Sequence, residues 1–326
     1  MKNKIIALAL SVLLFAPCFS AQAQQPAKLP KIGFLGVRPD DSKATFESFK
    51  RQFQMLGYVD GKNIVYEYRN AENKLERLPT LVDELIRVKI DVLVVAASNE
   101  VRAAKNATKT IPIVGLNLTD PVQSGLIESL AHPGANLTGI TPISEELSGK
   151  RLELLKEIVP GISRVAVMLN AGNPQSQFEL REVQAAAQAM GLQLQPVPIS
   201  SQDALEEAFA AMSRASAHAL IILTDPIFFS QRRKIVELAG RSRLPAMYFF
   251  QGFAEEGGLV SYGPSDTDLY RRSATYVDRI LRGAKASELP VEQPIKFDLV
   301  VNLNAAKALG LDISPMLLAR ADKVIE

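Results

Sequence analysis

The chain has 326 residues, 47% hydrophobic and 22% charged. That is enough for two domains with their own cores, and too apolar and varied for a collagenous or disordered chain. Its 37 Lys and Arg against 35 Asp and Glu reach parity once Lys2 and Lys4 are set aside with the leader described next, so nucleic acid is not an expected partner.

Residues 1–23 read as a secretory signal peptide. Lys2 and Lys4 precede an apolar run from Ile5 to Phe15, then Pro17 and the small-residue pattern Ala21-Gln22-Ala23, which predicts cleavage after Ala23. Cys18, the single cysteine, follows Pro17, a poor context for lipidation, so the mature chain is expected to begin at Gln24 and carry no thiol. Disulfides, thiolate catalysis and zinc–sulfur sites are then excluded together.

Behind the leader, strand and helix alternate. Lys31–Gly36 is a short buried strand; Phe46, Phe49, Phe53 and Leu56 at helical spacing follow, with Gly57 as a stop. Ile64–Tyr68 is strand-like, and Leu75, Leu78, Leu81 and Leu85 mark a second helix. Asp91–Ala97 and Ile111–Leu116 are continuous apolar runs, as in strands covered on both faces. The order then recurs: Ile32 and Val165, Gly57 and Gly191, Val92 and Leu220, and Ile111 and Leu244 are matched landmarks 128 to 134 residues apart. Two similar parallel α/β lobes are the expectation. The tail fits no third repeat: Leu259–Gly263 is strand-like, Leu269, Ala274, Val277 and Ile280 line a helix, Pro290 to Pro294 form a stiff connector, and Lys296–Leu303 leads into a final helical stretch.

Catalytic motifs are missing from this pattern. No G-x-G-x-x-G, G-x-S-x-G or H-E-x-x-H occurs, and Gly57 to Asn63 has the wrong spacing for a phosphate loop. His132 and His218 lie far apart and suit surface or capping roles. Polar residues do collect at the carboxyl ends of the predicted strands, where open parallel sheets bind ligands and helix N-termini offer free N–H groups. In the first lobe these are Gly36-Val37-Arg38, Ser98, Asn99, Asn117, Thr119 and Asp120. In the second they are Asn170, Asn173, Ser176, Thr224, Asp225, Phe250 and Gln251. As single residues they suit helix capping; as a set facing one cleft they suit a small polar ligand. Of the run Tyr248-Phe249-Phe250, one or two rings belong to a core and the last could stack on a ligand.

The segments EYRNAENKLERLP, AAKNATKTIPIV, TDPVQSGLIESLAHPGANLTGIT and GKRLELLKEIVP, and the later GGLVSYGPSDTDLYRRSATYVDRILRGAKASELPVEQPIKFDLVVNLNAAKALGL, resemble the exported ABC-transporter substrate-binding proteins of the tryptophan/tyrosine-binding-like group, from about Lys31 to Glu326. The resemblance implies a type I periplasmic-binding-protein fold: two Rossmann-like lobes joined by three crossing strands around a ligand cleft. We place those crossings near Thr141, Gly257 and Leu289, so that 31–141 with 257–288 form the first lobe and 142–256 with 289–326 the second. It further implies a monomeric periplasmic protein with no cofactor, metal or enzymatic chemistry. Such a protein captures a small polar ligand, an aromatic amino acid in some relatives, by hinge closure and docks on an ABC permease in the membrane. With no Trp in the chain, Tyr248, Phe249 and Phe250 are the aromatic candidates. The alternatives from the residues alone are an exported two-lobed enzyme such as a hydrolase, or a ligand-sensing subunit of a membrane receptor.

Overall fold

The computed structural model describes residues 29–96, 98–118, 121–122, 124–141 and 147–326; the expected signal peptide and Cys18 lie outside them. The first lobe opens with β1 (Lys31–Gly36), α1 (Pro39–Met55), β2 (Val65–Asn70), α2 (Leu78–Arg87), β3 (Val92–Val95), α3 (Ser98–Ala107), β4 (Ile113–Gly115) and β5 (Leu137–Gly139). The second runs through α4 (Leu147–Ile158), β6 (Arg164–Asn170), α5 (Pro174–Met190), β7 (Gln193–Ile199), α6 (Leu205–Arg214), β8 (Ala219–Ile222), α7 (Pro226–Ser230), α8 (Arg232–Arg241), β9 (Ala246–Tyr248), α9 (Gln251–Glu255) and β10 (Val260–Pro264). Then come α10 (Asp266–Leu281), β11 (Phe297–Asn302), α11 (Leu303–Leu309), α12 (Pro315–Arg320) and β12 (Lys323–Ile325).

The apolar runs become central strands because helices cover both of their faces. Alternate side chains point to opposite sides. Ile32, Phe34, Val92 and Val94 therefore pack with Phe49 and Phe53 of α1 and with Tyr276 and Val277 of α10. Leu35, Leu93 and Val95 meet Leu81 and Leu85 of α2 and Val101 of α3 on the other side. The second lobe repeats the division. Val165, Val167 and Leu169 join a core with Leu152 and Leu155 of α4 and Val183 of α5, while Ala166 and Met168 face Phe209, Ile235 and Phe253. Removing a ring such as Phe49 or Phe53, both fully buried, would cost about 3–5 kcal/mol.

Strand order is β2-β1-β3-β4-β5 in the first sheet and β12-β11-β10-β9-β8-β6-β7 in the second. All pairings are parallel except β10 with β11. This is the type I periplasmic-binding-protein architecture. The chain ends differently from expectation: the predicted terminal helix is two short helices and then β12, which pairs with β11 because Val300 to Asn302 leave an open edge for Lys323 to Ile325.

Two of the expected crossings also move. Gly257 does not begin a return to the first lobe, because Val260 and Ser261 pair with Met247 and Tyr248 of β9. The chain leaves the second sheet only after Pro264, and α10 then packs on α1, with Tyr58 donating its hydroxyl to Asp278 at 2.8 Å. Nor does Leu289 start the third crossing. The Leu289 carbonyl accepts from Thr138 Oγ1 at 2.8 Å, and Val291 N–H donates to Leu130 O at 2.7 Å, so this stretch stays with the first lobe. The three passages lie side by side: Ile140 bridges Glu292, Thr141 N–H donates to Glu292 O, and Ser265 N–H donates to Lys296 O.

Candidate functional site

The carboxyl ends of the two sheets approach one another, since Arg38, just after β1, lies against the Phe229 ring that follows β8. In the second lobe, the ends of β6 and β8 are knotted together at Asp225. Its Oδ2 accepts the Nδ2 amides of Asn170 and Asn173, each at 2.9 Å, and its Oδ1 accepts the Ile227 N–H at 2.8 Å as the cap of α7. Asn170 Oδ1 in turn accepts from Gly172 N–H. With Asp225 only 2% exposed and three N–H groups on its oxygens, most of its acceptor capacity is used internally.

Thr224, half-buried beside it, is held by its backbone: its N–H donates to Glu179 Oε2 at 3.0 Å, and Ser148 Oγ donates to the same oxygen. Burial pushes the Glu179 carboxyl up, opposed by the charge of Arg151. Burial likewise pushes the Arg151 guanidinium down; its Nε donates to Tyr262 O of β10 at 2.8 Å. These groups tie α4, α5, β10 and the β8–α7 corner into one support beneath the cleft. Ser176, in the first turn of α5, is fully buried, and its Oγ has no hydrogen-bond partner.

The aromatic run divides at the end of β9. Tyr248 and Phe249 are buried and pack on Phe253, with centroids 4.7 and 5.2 Å away. Phe250 leaves the strand half-buried, 4.9 Å from the Phe229 ring of α7. Gly252 makes room for that ring, since a Cβ there would sit 2.7 Å from Phe250 Cε1. Phe229 carries cations on its faces: Arg38, arriving from the end of β1 in the opposite lobe, lies 4.6 Å from the centroid, and Arg232 lies 5.5 Å away.

Of the first-lobe residues expected here, Thr119 and Asp120 lie outside the described residues, as does the side chain of Ser98, which opens α3. Asn99 is exposed; the helix turns its neighbour Glu100 inward instead, leaving it 3% exposed. Burial pushes the Glu100 carboxyl up to about 7, with its own N–H, Arg38 and the Val37 N–H pulling the other way. Sequence reading missed Phe229 and Glu100. The period of a capped helix after Asp225-Pro226 could have shown that Phe228 and Phe229 point different ways; Phe228 is fully buried.

A cavity of about 480 Å³ bordered by Pro30, Asp91, Thr110, Asn136 and Lys285 lies at the opposite, amino edge of the first sheet. His132 sits in an exposed turn, and His218 lies beside Ser163 and Arg164. Among the described residues no cluster of His, Cys, Asp and Glu is arranged to hold a metal, and no helix is long and apolar enough to cross a membrane.

Two parallel lobes, three adjacent crossings and a polar and aromatic cleft define a two-lobed binding protein. The chain belongs to the ABC transporter substrate binding protein family, which matches residues 36–325. It is 26% identical over 266 residues to a tyrosine-binding protein of Clostridioides difficile, covering 81% of this chain and 76% of that one. A conserved domain protein from Vibrio cholerae superposes with a TM-score of 0.76 at 27% identity, covering 91% of this chain and all of the other. A Streptococcus pneumonia domain crystallised in complex with L-Trp shares the fold with a TM-score of 0.76 at 23% identity, over 91% of this chain and 100% of that one.

Proposed function

We propose that the protein is the periplasmic solute-binding component of an ABC importer, exported by its signal peptide. It captures an aromatic amino acid between its lobes and presents the closed form to a membrane permease. The observation that carries this reading is the Phe229–Phe250 pair at the second-lobe edge of the cleft, faced by Arg38 from the first lobe. A flat ligand ring has surfaces to pack on there, and residues of both lobes meet across it. Relatives named for tyrosine or solved with L-Trp support the ligand class. The lobes close as rigid units about the three crossings, the ligand leaves chemically unchanged, and the protein works as a monomer without a cofactor.

Ser98, Asn99, Thr119, Asp120, Asn170, Asn173, Ser176, Thr224, Asp225 and Phe250 remain the candidates for lining and supporting this site. Asp225 works through the corner it holds. The test is a thermal-shift and calorimetric screen of L-tryptophan, L-tyrosine, L-phenylalanine and small carboxylates on the purified mature chain. A ligand at 100 times its Kd stabilises the folded state by about 2.7 kcal/mol, a clear rise in midpoint. Because the chain has no Trp, bound L-tryptophan also reports through its own fluorescence. No shift and no heat with any aromatic amino acid would refute the reading.

A further inference from the structure

Arg38 reaches across the cleft for reasons visible in its backbone. It precedes Pro39, which disfavours helical geometry in the residue before it, and it adopts an extended φ of −90° and ψ of 125° at the start of α1. Its side chain makes no cap to that helix. Instead the guanidinium stands over Phe229 of the second lobe, with buried Glu100 near it in its own lobe. The ring beneath it is also flanked by Arg232, whose Nη2 pairs with Glu256 Oε1 at 3.4 Å, and lies against Phe250. Two planar cations from opposite lobes therefore converge on the Phe229 ring.

We propose that Arg38 and Arg232 determine specificity by receiving a ligand carboxylate, while Phe229 and Phe250 take its flat apolar body. A guanidinium fork matches a carboxylate with two parallel N–H donors, which a lysine ammonium cannot reproduce. The two arginines are contributed by different lobes, so a carboxylate held by both is fully engaged only when the lobes approach. The cleft thus selects aromatic carboxylates and rejects the corresponding amines. This rests on the reading that the cleft binds an aromatic amino acid.

The test compares L-tryptophan, indole-3-propionate, which lacks the ammonium, and tryptamine, which lacks the carboxylate, by calorimetry on the mature chain. The variants are Arg38→Met, Arg38→Lys and Arg232→Met. Wild type is expected to bind the two carboxylates and to bind tryptamine at least about 30-fold more weakly, the scale of a lost charged partner. Arg38→Met should weaken L-tryptophan by about 30-fold and leave tryptamine nearly unchanged, so the carboxylate preference collapses; Arg38→Lys should restore only part of it. If Arg38→Met melts early, Arg38→Lys and Arg232→Met carry the same comparison.

Wild type that binds no aromatic amino acid brings down the proposed function and this inference together; where it binds L-tyrosine and not L-tryptophan, L-tyrosine, 3-(4-hydroxyphenyl)propionate and tyramine carry the same comparison. Wild type that binds L-tryptophan, with Arg38→Met weakening L-tryptophan and tryptamine equally or neither, overturns the inference and leaves the function standing. Tighter binding by Arg38→Met overturns it as well, because Arg38 would then be occupying the ring face that the ligand needs.

Discussion

Asp225 stands at the β8–α7 corner, and its oxygens are committed to two asparagine amides and the first turn of α7. Replacing it with Ala removes a cap and leaves two partly buried amides without their acceptor. Each loss is of the order of 1 kcal/mol. Asp225→Ala should therefore unfold earlier in denaturant without ligand, by about 3 kcal/mol; an unchanged midpoint would show that the knot is not structural.

Glu100 makes a prediction with the opposite electrostatic logic. Its folded-state pKa is raised from 4.5 to about 7, chiefly by burial, so the native chain keeps a proton that the unfolded chain has already released. Its contribution is fully present below about pH 4.5 and is lost as pH rises through about 7, at a cost of about 3 kcal/mol. Half-buried Asp266, also pushed up to about 7 by burial and bonded to Gln251, adds to the same window. The melting midpoint should fall from about pH 5 to about pH 8, and Glu100→Gln should remove its share of that slope and leave the part that Asp266 carries. A wild-type midpoint level across the range would contradict the buried, protonated carboxyl.

At the scale of elements, two glycines at the cleft edge separate packing from binding. A Cβ on Gly263 of β10 would lie 2.1 Å from the Phe249 carbonyl oxygen, so the backbones of β9 and β10 cannot keep their spacing. Gly263→Ala should destabilise the protein by about 1–3 kcal/mol, measured by denaturant unfolding. A Cβ on Gly252 meets only the Phe250 ring edge below 3.4 Å, and a half-buried ring can turn away. Gly252→Ala should leave the unliganded midpoint nearly unchanged and weaken an aromatic ligand in calorimetry. If its affinity matches wild type, Phe250 does not take part in binding.

For the molecule as a whole, the proposed closure has its pivot where the three strands cross. Glu292 is bonded to the first crossing through its backbone and paired with Arg272 of α10 through its side chain, and Arg272 also donates to Gln293 O at 3.1 Å. These contacts anchor the connector to the first lobe, so the proposed rotation would fall on the residues beyond it. Saturating ligand should reduce the radius of gyration in solution scattering without changing the mass of the particle. An unchanged radius would count against closure. The intact mass of exported protein should correspond to a chain beginning at Gln24; a lipid-bearing chain beginning at Cys18 would place the protein on a membrane surface instead.

The sequence by itself determined the alternating lobes, because strands buried on both faces need continuous apolar runs and helices on a core need periodic ones. Lys31–Gly36, Val92–Val95 and Ala219–Ile222 are legible for that reason. So are the polar strand ends, since Asn170, Asn173 and Asp225 mark where the apolar runs stop. Tertiary structure alone decided the crossings, because whether 257–264 and 289–292 belong to one sheet or the other depends on hydrogen bonds to strands distant in sequence. It also decided that Asp225 is a structural cap while Arg38, from the opposite lobe, faces Phe229. Local sequence sets which way a side chain leaves its own strand or helix. What it meets across a cleft is set by the relative placement of two lobes, and no local pattern encodes that.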